Sequence, residues 1–156
     1  MTSHSSAEAA ALLDHYLTGL DSAKLDDDWA RGLFTDDATV QFPNARHEGL
    51  DGLAEFHRTA MSAFARTQHL NSPAAVAVDG DTASLRANLI STHVHHPDPA
   101  HGGPAQGGPA QGGGERLFTA GTFLHGRARR TAGGWRLCAL QFALVWSTGS
   151  PPRPAR

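Results

Sequence analysis

The sequence predicts an α+β fold in which three N-terminal helices lie on one face of a curved antiparallel sheet and enclose a cone-shaped pocket. Two observations support this prediction. Helical periodicity is confined to the first 64 residues, whereas alternating apolar residues and turn signals dominate the rest. The chain has 156 residues, 40% of them hydrophobic and 18% charged, which suits one domain of about 100–200 residues. We expect that domain to span residues 7–149, between disordered ends at 1–6 and 150–156.

Three helices are predicted at the start of the chain. The first covers residues 7–20, because leucines and Tyr16 recur at spacings of three and four and Ser6 can cap its start. The second is short and begins after Leu25, with Asp26 as its cap. The third opens at Gly49 and presents one apolar stripe, which consists of Leu50, Leu53, Phe56, Ala60 and Phe64.

Most of the predicted strands follow the third helix. One short strand covers 38–42, and the later ones cover 67–78 with an interruption at Pro73, then 81–96, 116–130 and 135–146. Asp79-Gly80 marks a hairpin turn. The stretch 97–114 repeats Gly-Gly-Pro-Ala-Gln, and we expect a flexible loop there because this composition cannot bury apolar surface.

Composition argues against several functional classes. A formal net charge of −2 provides no overall basic field for nucleic acid. A single cysteine rules out an intramolecular disulfide framework and a multi-cysteine zinc site. No apolar run reaches the roughly 18 residues of a membrane span, and residues 1–6 lack the pattern of a signal peptide. We therefore expect a cytoplasmic protein whose partners include neither nucleic acid nor membrane.

One of the ten histidines occupies an informative position. Alternation along the strand at 81–96 places His93 on the same face as Leu85 and Leu89, which is the face expected to meet the core. Because a buried imidazole needs a polar partner, His93 is either a structural residue or a functional one. His95 shares this face, but no third and fourth ligand accompany the pair at a suitable spacing, so we predict no metal site.

Other polar residues leave two interpretations open. Asp21 closes the first helix, where a carboxylate opposes the helix dipole, and it is either a loop residue or a functional one. His69 begins a strand, but Pro73 prevents its assignment to a face. Gln141 interrupts the apolar last strand and lines either a cavity or an interface. We expect Cys138 to be an inert core thiol, and solvated positions for His4, His57 and His101.

Several short motifs follow one another in a characteristic order, namely Tyr16, Asp21, Trp29, Leu33-Phe34-Thr35-Asp36-Asp37-Ala38, Gly49, Thr67-Gln68-His69, Val78-Asp79-Gly80-Asp81-Thr82-Ala83 and Gly134-Trp135-Arg136-Leu137. Together they resemble the SnoaL-like branch of the nuclear transport factor 2-like superfamily over residues 7–149. Within that branch the chain is most similar to scytalone dehydratase. The resemblance implies the same cone-shaped α+β fold with a deep pocket.

The resemblance also implies an acid–base site that needs no cofactor. Asp21, His69 and His93 match the catalytic aspartate and two histidines of scytalone dehydratase. The two tyrosines with which that enzyme holds a water on the substrate carbonyl fall at Leu20 and Phe42, so scytalone is not the expected substrate. The substrate-binding residues that we expect are Trp29, Phe42, Phe56, Phe64, Leu89, Phe123, His125, Gln141 and Trp146.

The implied function is that of a lyase or cyclase acting on a hydrophobic, polyketide-like natural product. His69 would act as acid and base, Asp21 would fix its tautomer, and His93 would donate a hydrogen to the departing or carbonyl oxygen. The alternatives are an isomerase similar to ketosteroid isomerase and a non-catalytic protein that binds small molecules or dimerises. We expect a homodimer through the outer sheet face, to which Arg127, Arg129, Arg130 and Gln141 could contribute.

Overall fold

The computed structural model describes residues 2–22, 24–97 and 116–152, which form three helices and seven strands. The helices are α1 (Thr2–Ser22), α2 (Asp27–Leu33) and α3 (Leu53–Ser62). The strands are β1 (Phe34–Phe42), β2 (Ala45–Glu48), β3 (Arg66–Asn71), β4 (Ala75–Asp79), β5 (Thr82–Val94), β6 (Leu117–Thr131) and β7 (Gly134–Gly149). The predicted α+β class with three helices before the main run of strands is confirmed.

The seven strands form one curved, open sheet in the order β2-β1-β7-β6-β5-β3, and β4 also pairs with β5. Every pairing is antiparallel except that of β1 with β7, which is parallel. The sheet is therefore mixed, and it departs from the predicted antiparallel arrangement at this one pairing. Most of the chain lies between β1 and β7, so no tight turn forces these two strands to run in opposite directions.

The core lies between the helices and the inner face of the sheet. Along β5 the residues from Ala83 to His93 alternate between buried and exposed, as the period of two predicts. The buried set of β5 packs with Leu13, Tyr16 and Leu17 of α1. The helices thus cover the inner face, whereas the other face of β5 and β6 is exposed.

Two of the predicted helix starts are wrong. The helix α1 begins at Thr2 rather than Ala7, so residues 2–6 are helical and not disordered; Arg130 on β6 donates to the Ser5 hydroxyl at 2.8 Å and holds this first turn against the sheet. The helix α3 begins at Leu53 rather than at Gly49. Gly49 and Gly52 have φ angles of 86° and 73°, a left-handed conformation that a right-handed helix cannot contain. The Asp26 cap of α2 is confirmed, since its carboxylate accepts from the Trp29 N–H at 3.0 Å.

The strand predictions are correct in order and differ at their ends. The stretch 67–78 is interrupted near Pro73 and forms β3 and β4, and Gly80 turns the chain into β5 with a φ of 57°. β1 begins at Phe34, directly after α2, and the short strand β2 was not predicted. Of the predicted loop at 97–114, only Pro97 is described; the rest lies outside the described residues, as do 153–156 of the tail.

Candidate active site

The end of α1 and the start of β3 are joined through the Asp21 carboxylate. His69 Nδ1 donates to Asp21 Oδ1 at 2.7 Å, and the His69 backbone N–H donates to Oδ2 at 2.8 Å. Thr67 Oγ1 adds a third hydrogen bond to Oδ1 at 2.8 Å. Because the carboxylate only accepts, Nδ1 carries the imidazole hydrogen and Nε2 of neutral His69 presents its lone pair. The unfavourable position of Asp21 at a helix end is thus offset by three donors.

The surroundings of Asp21 keep its carboxylate ionised although it is largely buried. The Asp21 side chain is 19% exposed and that of His69 only 5%. Burial pushes the pKa of Asp21 upward, but the hydrogen bonds from the His69 ring, from its backbone N–H and from Thr67 outweigh burial and hold the pKa below its usual value. Asp21 is therefore ionised at neutral pH and faces the imidazole as a fixed negative charge.

The second histidine, His93, stands beside the first. Its ring centre lies 5.8 Å from that of His69, with the two planes nearly perpendicular at 89°. His93 Nδ1 donates to the backbone carbonyl of Phe118 at 3.1 Å. The Phe64 ring packs against the imidazole, with 4.4 Å between the two ring centres. Burial lowers the pKa of His93, so the ring is neutral at neutral pH and its Nε2 accepts rather than donates. The placement of His93 on the inner face, predicted from alternation, is confirmed.

Pairing of β3 with β5 builds a four-residue block around the two imidazoles. In this register Thr67 lies opposite His93, and His69 lies opposite Ser91. Directly opposed residues of an antiparallel pair have Cβ atoms about 4.5–5.5 Å apart. The block of Thr67, His69, Ser91 and His93 therefore presents four polar side chains on the inner side of the sheet, with Asp21 attached at one edge.

A cluster of aromatic side chains fills the inner side around Tyr16. Its members are Tyr16, Trp29, Phe34, Phe42, Phe56, His57 and Phe142. Three of the expected substrate-binding residues, Trp29, Phe42 and Phe56, belong to it. Phe64 contacts His93 instead, and Leu89 lies on the inner face of β5. These five remain candidates for the apolar wall of a pocket.

His57 is wholly buried, and its predicted solvated position is wrong. Its Nδ1 donates to the Leu53 carbonyl at 2.8 Å, and Tyr16 donates its hydroxyl hydrogen to Nε2 at 3.0 Å. Burial lowers the pKa of His57 to about 4, so the ring is neutral near pH 7. A signal was present in the sequence, because His57 lies four residues after Leu53 and three before Ala60, within the apolar stripe of α3.

Four expected substrate-binding residues face the other side of the sheet. His125 lies in register with Arg86 and Gln141, and Phe123 lies beneath the Arg86 guanidinium at 5.7 Å, all on the outer face. Trp146 is 46% exposed and covers Gly121, where any added side chain would overlap the indole. The prediction that Phe123, His125, Gln141 and Trp146 line the pocket is wrong. On β6 the inner positions are the alternate residues Thr122 and Leu124, and a bulge near Gly121 changes the register of β7.

The other polar clusters of the described residues do not converge on the histidines. A solvent-facing cavity of about 370 Å³ lies beside α2 and β1, and it is lined by Arg31, Phe34, Thr35, Asp36, Asp37, Arg129, Thr131 and Arg136. Its charges are partly paired, since Arg129 donates to Asp37 at 2.6 Å. His95 Nε2 donates to the backbone carbonyl of Ser150 at 2.7 Å, whereas His93 donates to that of Phe118. Within the described ranges no group of three or more His, Cys, Asp or Glu side chains is arranged to hold a metal ion.

Comparisons with known proteins agree with this architecture. The chain matches the SnoaL-like domain family over residues 1–141. A nuclear transport factor 2-like superfamily protein from Salmonella enterica has a similar structure, with a TM-score of 0.74, 20% identity and 96% of each chain covered. No curated protein matches the chain. None of the helices in the described part of the chain is long and apolar enough to cross a membrane.

Two structural neighbours carry names of elimination enzymes. A protein from Novosphingobium aromaticivorans, provisionally assigned as a scytalone dehydratase, has a TM-score of 0.71 and 18% identity, over 96% of this chain and 89% of its own. A type 2 hexachlorocyclohexane dehydrochlorinase has a TM-score of 0.71 and 13% identity, over 96% of this chain and 91% of its own. At these identities the likeness shows the fold alone.

Proposed function

Since this chain belongs to the SnoaL-like domain family, we propose that it is a cofactor-independent lyase or cyclase, which removes a proton α to a carbonyl and then eliminates water or closes a ring. One observation carries the proposal: an ionised Asp21 holds His69 by a 2.7 Å hydrogen bond, with the second buried imidazole beside it. The names of the two elimination enzymes among its structural neighbours support this reaction class.

In the proposed elimination His69 is both base and acid. Its Nε2 takes the α-proton, the substrate becomes an enolate, and Asp21 stabilises the imidazolium that forms. The same N–H then transfers the proton to the β-hydroxyl oxygen as the C–O bond breaks and the C=C bond forms. Water leaves and His69 is neutral again, so one proton and one hydroxide are accounted for.

The hydrogen bond of His93 gives this residue a different role from the expected one. Its single ring hydrogen is used by the Phe118 carbonyl, and its lowered pKa keeps Nε2 unprotonated. Neutral His93 therefore has no hydrogen to donate to a departing or carbonyl oxygen, in contrast to the expectation from the resemblance. In our proposal Nε2 accepts the hydrogen of the substrate hydroxyl and directs that oxygen towards His69.

The substrate class follows from the buried polar residues. Among the described residues these are Ser5, Thr35, His57, His69, Ser91, His93 and Thr122, and they include no lysine or arginine. A carboxylate or phosphate would meet Asp21 without a compensating cation, which is costly away from water. We therefore assign an uncharged, largely apolar carbonyl compound as the substrate, which suits a polyketide-like natural product.

The cytoplasmic location remains a prediction.

An uncharged β-hydroxyketone, 3-hydroxy-1-tetralone, tests the proposed reaction because its loss of water yields 1-naphthol, which absorbs and fluoresces. The wild-type protein is expected to accelerate this conversion. Asp21→Asn keeps the size of the side chain but removes its charge, so it no longer fixes the His69 tautomer or stabilises the imidazolium. We expect kcat to fall by about 10²–10⁴-fold, the usual contribution of the acid–base group that Asp21 positions. Asp14→Asn is the matched control and should keep the wild-type rate, because Asp14 is exposed and the amide oxygen of its replacement can still accept the 3.1 Å hydrogen bond from Asn71. No conversion by the wild-type protein, or equal rates in both variants, would contradict the proposal.

A non-catalytic binding protein is the second candidate, favoured by the apolar character of the aromatic cluster. An isomerase would use the same first step and return the proton to another carbon of the enolate. Incubation of 2-tetralone in D₂O separates these cases, since only a protein that abstracts α-protons will speed deuterium incorporation, followed by NMR. An unchanged rate of exchange would favour the binding role.

We also propose a homodimer through the outer sheet face. Three exposed apolar side chains, Leu70, Ile90 and Trp146, lie in register across β3, β5 and β7 with Gly121 of β6 between the last two. Contiguous apolar surface of this kind is typical of interaction sites. Ile90→Glu should weaken dimerisation at least about tenfold, because a two-fold interface would bury the unpaired charge twice. Sedimentation velocity measures this, with Thr59→Glu on α3 as the control. A monomeric wild-type protein would refute the dimer.

A further inference from the structure

The four-residue block on β3 and β5 contains one unengaged hydroxyl. Thr67 and His69 both donate to Asp21, and His93 donates to the Phe118 carbonyl. Ser91 is 6% exposed, and none of the hydrogen bonds between described residues involves its side chain. Buried hydroxyl groups in native proteins nearly always have a partner, so this one has a place for a ligand or a water.

The position of Ser91 connects it to both imidazoles. It lies directly opposite His69 in the β3–β5 pairing, and it precedes His93 by two residues on the same inner face of β5. Neighbours at i and i+2 on one face of a strand are separated by about 6.6 Å along the strand. A small molecule that contacts both of these adjacent rings would therefore contact the Ser91 hydroxyl as well.

The proposed reaction requires a donor that the two histidines do not supply. When the α-proton is removed, negative charge develops on the carbonyl oxygen, and a positioned hydrogen-bond donor at that oxygen lowers the barrier. His69 Nδ1–H is used by Asp21 and His93 Nδ1–H by a backbone carbonyl. In the neutral form of either ring, Nε2 is an acceptor. Ser91 is the remaining side-chain donor of the block.

We propose that Ser91 is a further catalytic residue, whose hydroxyl donates to the carbonyl oxygen of an uncharged substrate and stabilises the enolate that His69 generates. This assignment rests on the proposed function. It makes the site specific for ligands with a neutral acceptor oxygen, because the hydroxyl supplies a hydrogen bond but no charge. The Ser91 hydroxyl keeps its proton throughout and only donates a hydrogen bond.

Ligand binding tests the assignment without turnover. The probes are 1-tetralone and its hydrocarbon analogue tetralin, which differ in the carbonyl oxygen, and affinity is measured by calorimetry. The wild-type protein should bind the ketone more tightly. Ser91→Ala should weaken ketone binding by about three- to tenfold, the usual value of one neutral hydrogen bond, and leave tetralin binding unchanged. Ser84→Ala, on the exposed face of the same strand, should change neither affinity.

Kinetics supply the second measurement. With 3-hydroxy-1-tetralone, Ser91→Ala should lose about 10²–10³-fold in kcat, as removal of an oxyanion donor does, and Ser91→Thr should recover part of the loss. A thermal midpoint close to wild type shows that the small substitution preserves the fold. Equal ketone affinity in wild type and Ser91→Ala, or equal losses of ketone and tetralin binding, overturns the assignment. An unchanged kcat in Ser91→Ala with Asp21→Asn inactive overturns Ser91 alone and leaves the proposed function intact.

Discussion

Replacement of His69 by Gln is expected to abolish measurable dehydration of 3-hydroxy-1-tetralone while the protein remains folded. Glutamine is close to histidine in size and can still donate to Asp21, so the link between α1 and β3 survives. It cannot accept the α-proton or return it, and both proton transfers of the proposed cycle are lost. A positioned acid–base group contributes about 10²–10⁴-fold, and His69 serves twice, so we expect a loss at or beyond the upper end of this range. The formation of 1-naphthol, followed by fluorescence, provides the measurement.

The matched control for this variant is His15→Gln. His15 lies on the exposed side of α1, away from the sheet, and its replacement should leave the rate unchanged. Circular dichroism and the thermal midpoint check that both variants fold. If His69→Gln retains a tenth or more of wild-type activity, His69 is not the base, and the proposed function fails together with it.

Local patterns in the sequence were sufficient for the parts of the fold that depend on neighbouring residues. The alternation of β5 placed His93 on the buried face, and the Asp79-Gly80 pair placed the hairpin. The start of α3 could not be located in this way. It depends on two glycines in the left-handed conformation, whereas the apolar spacing that begins at Leu50 is equally consistent with an earlier start.

The candidate site depends on contacts between distant parts of the chain. The hydrogen bonds between Asp21 and His69 span 48 residues, and no short-range pattern specifies them. The resemblance to a known family identified these two residues, but it did not indicate that Ser91 lies opposite His69. That contact follows from the register of β3 with β5, which is set by the whole packed face.

The four outer-face residues could not be assigned to a face from their sequence alone. Aromatic side chains such as Phe123 and Trp146 are good candidates for a pocket wall by composition alone. The face on which a strand residue lies changes with a single bulge, and the β6–β7 pairing contains two irregularities of register. Of the two aromatic residues, Trp146 belongs to the exposed surface through which we propose dimerisation.

Buried His57 is expected to make the folded protein less stable as pH falls. Burial lowers its pKa from 6.5 to about 4, so the unfolded chain binds a proton between these two pH values and the folded protein does not. The free energy of unfolding therefore falls as pH decreases from 6.5 to 4, and His57 adds no further loss below that range. A difference of this size corresponds to about 3 kcal/mol, at about 1.4 kcal/mol per pKa unit.

Comparison with His57→Gln isolates this contribution. The glutamine carbonyl can still accept the Tyr16 hydroxyl hydrogen, which replaces the 3.0 Å bond to Nε2, but the side chain does not titrate. Urea unfolding at pH 7 and pH 4 should show that the wild-type protein loses about 3 kcal/mol more than the variant between the two values. His93, whose pKa is also lowered by burial, contributes equally to both proteins and cancels. Parallel losses in the wild type and in His57→Gln would show that folding does not lower the pKa of His57.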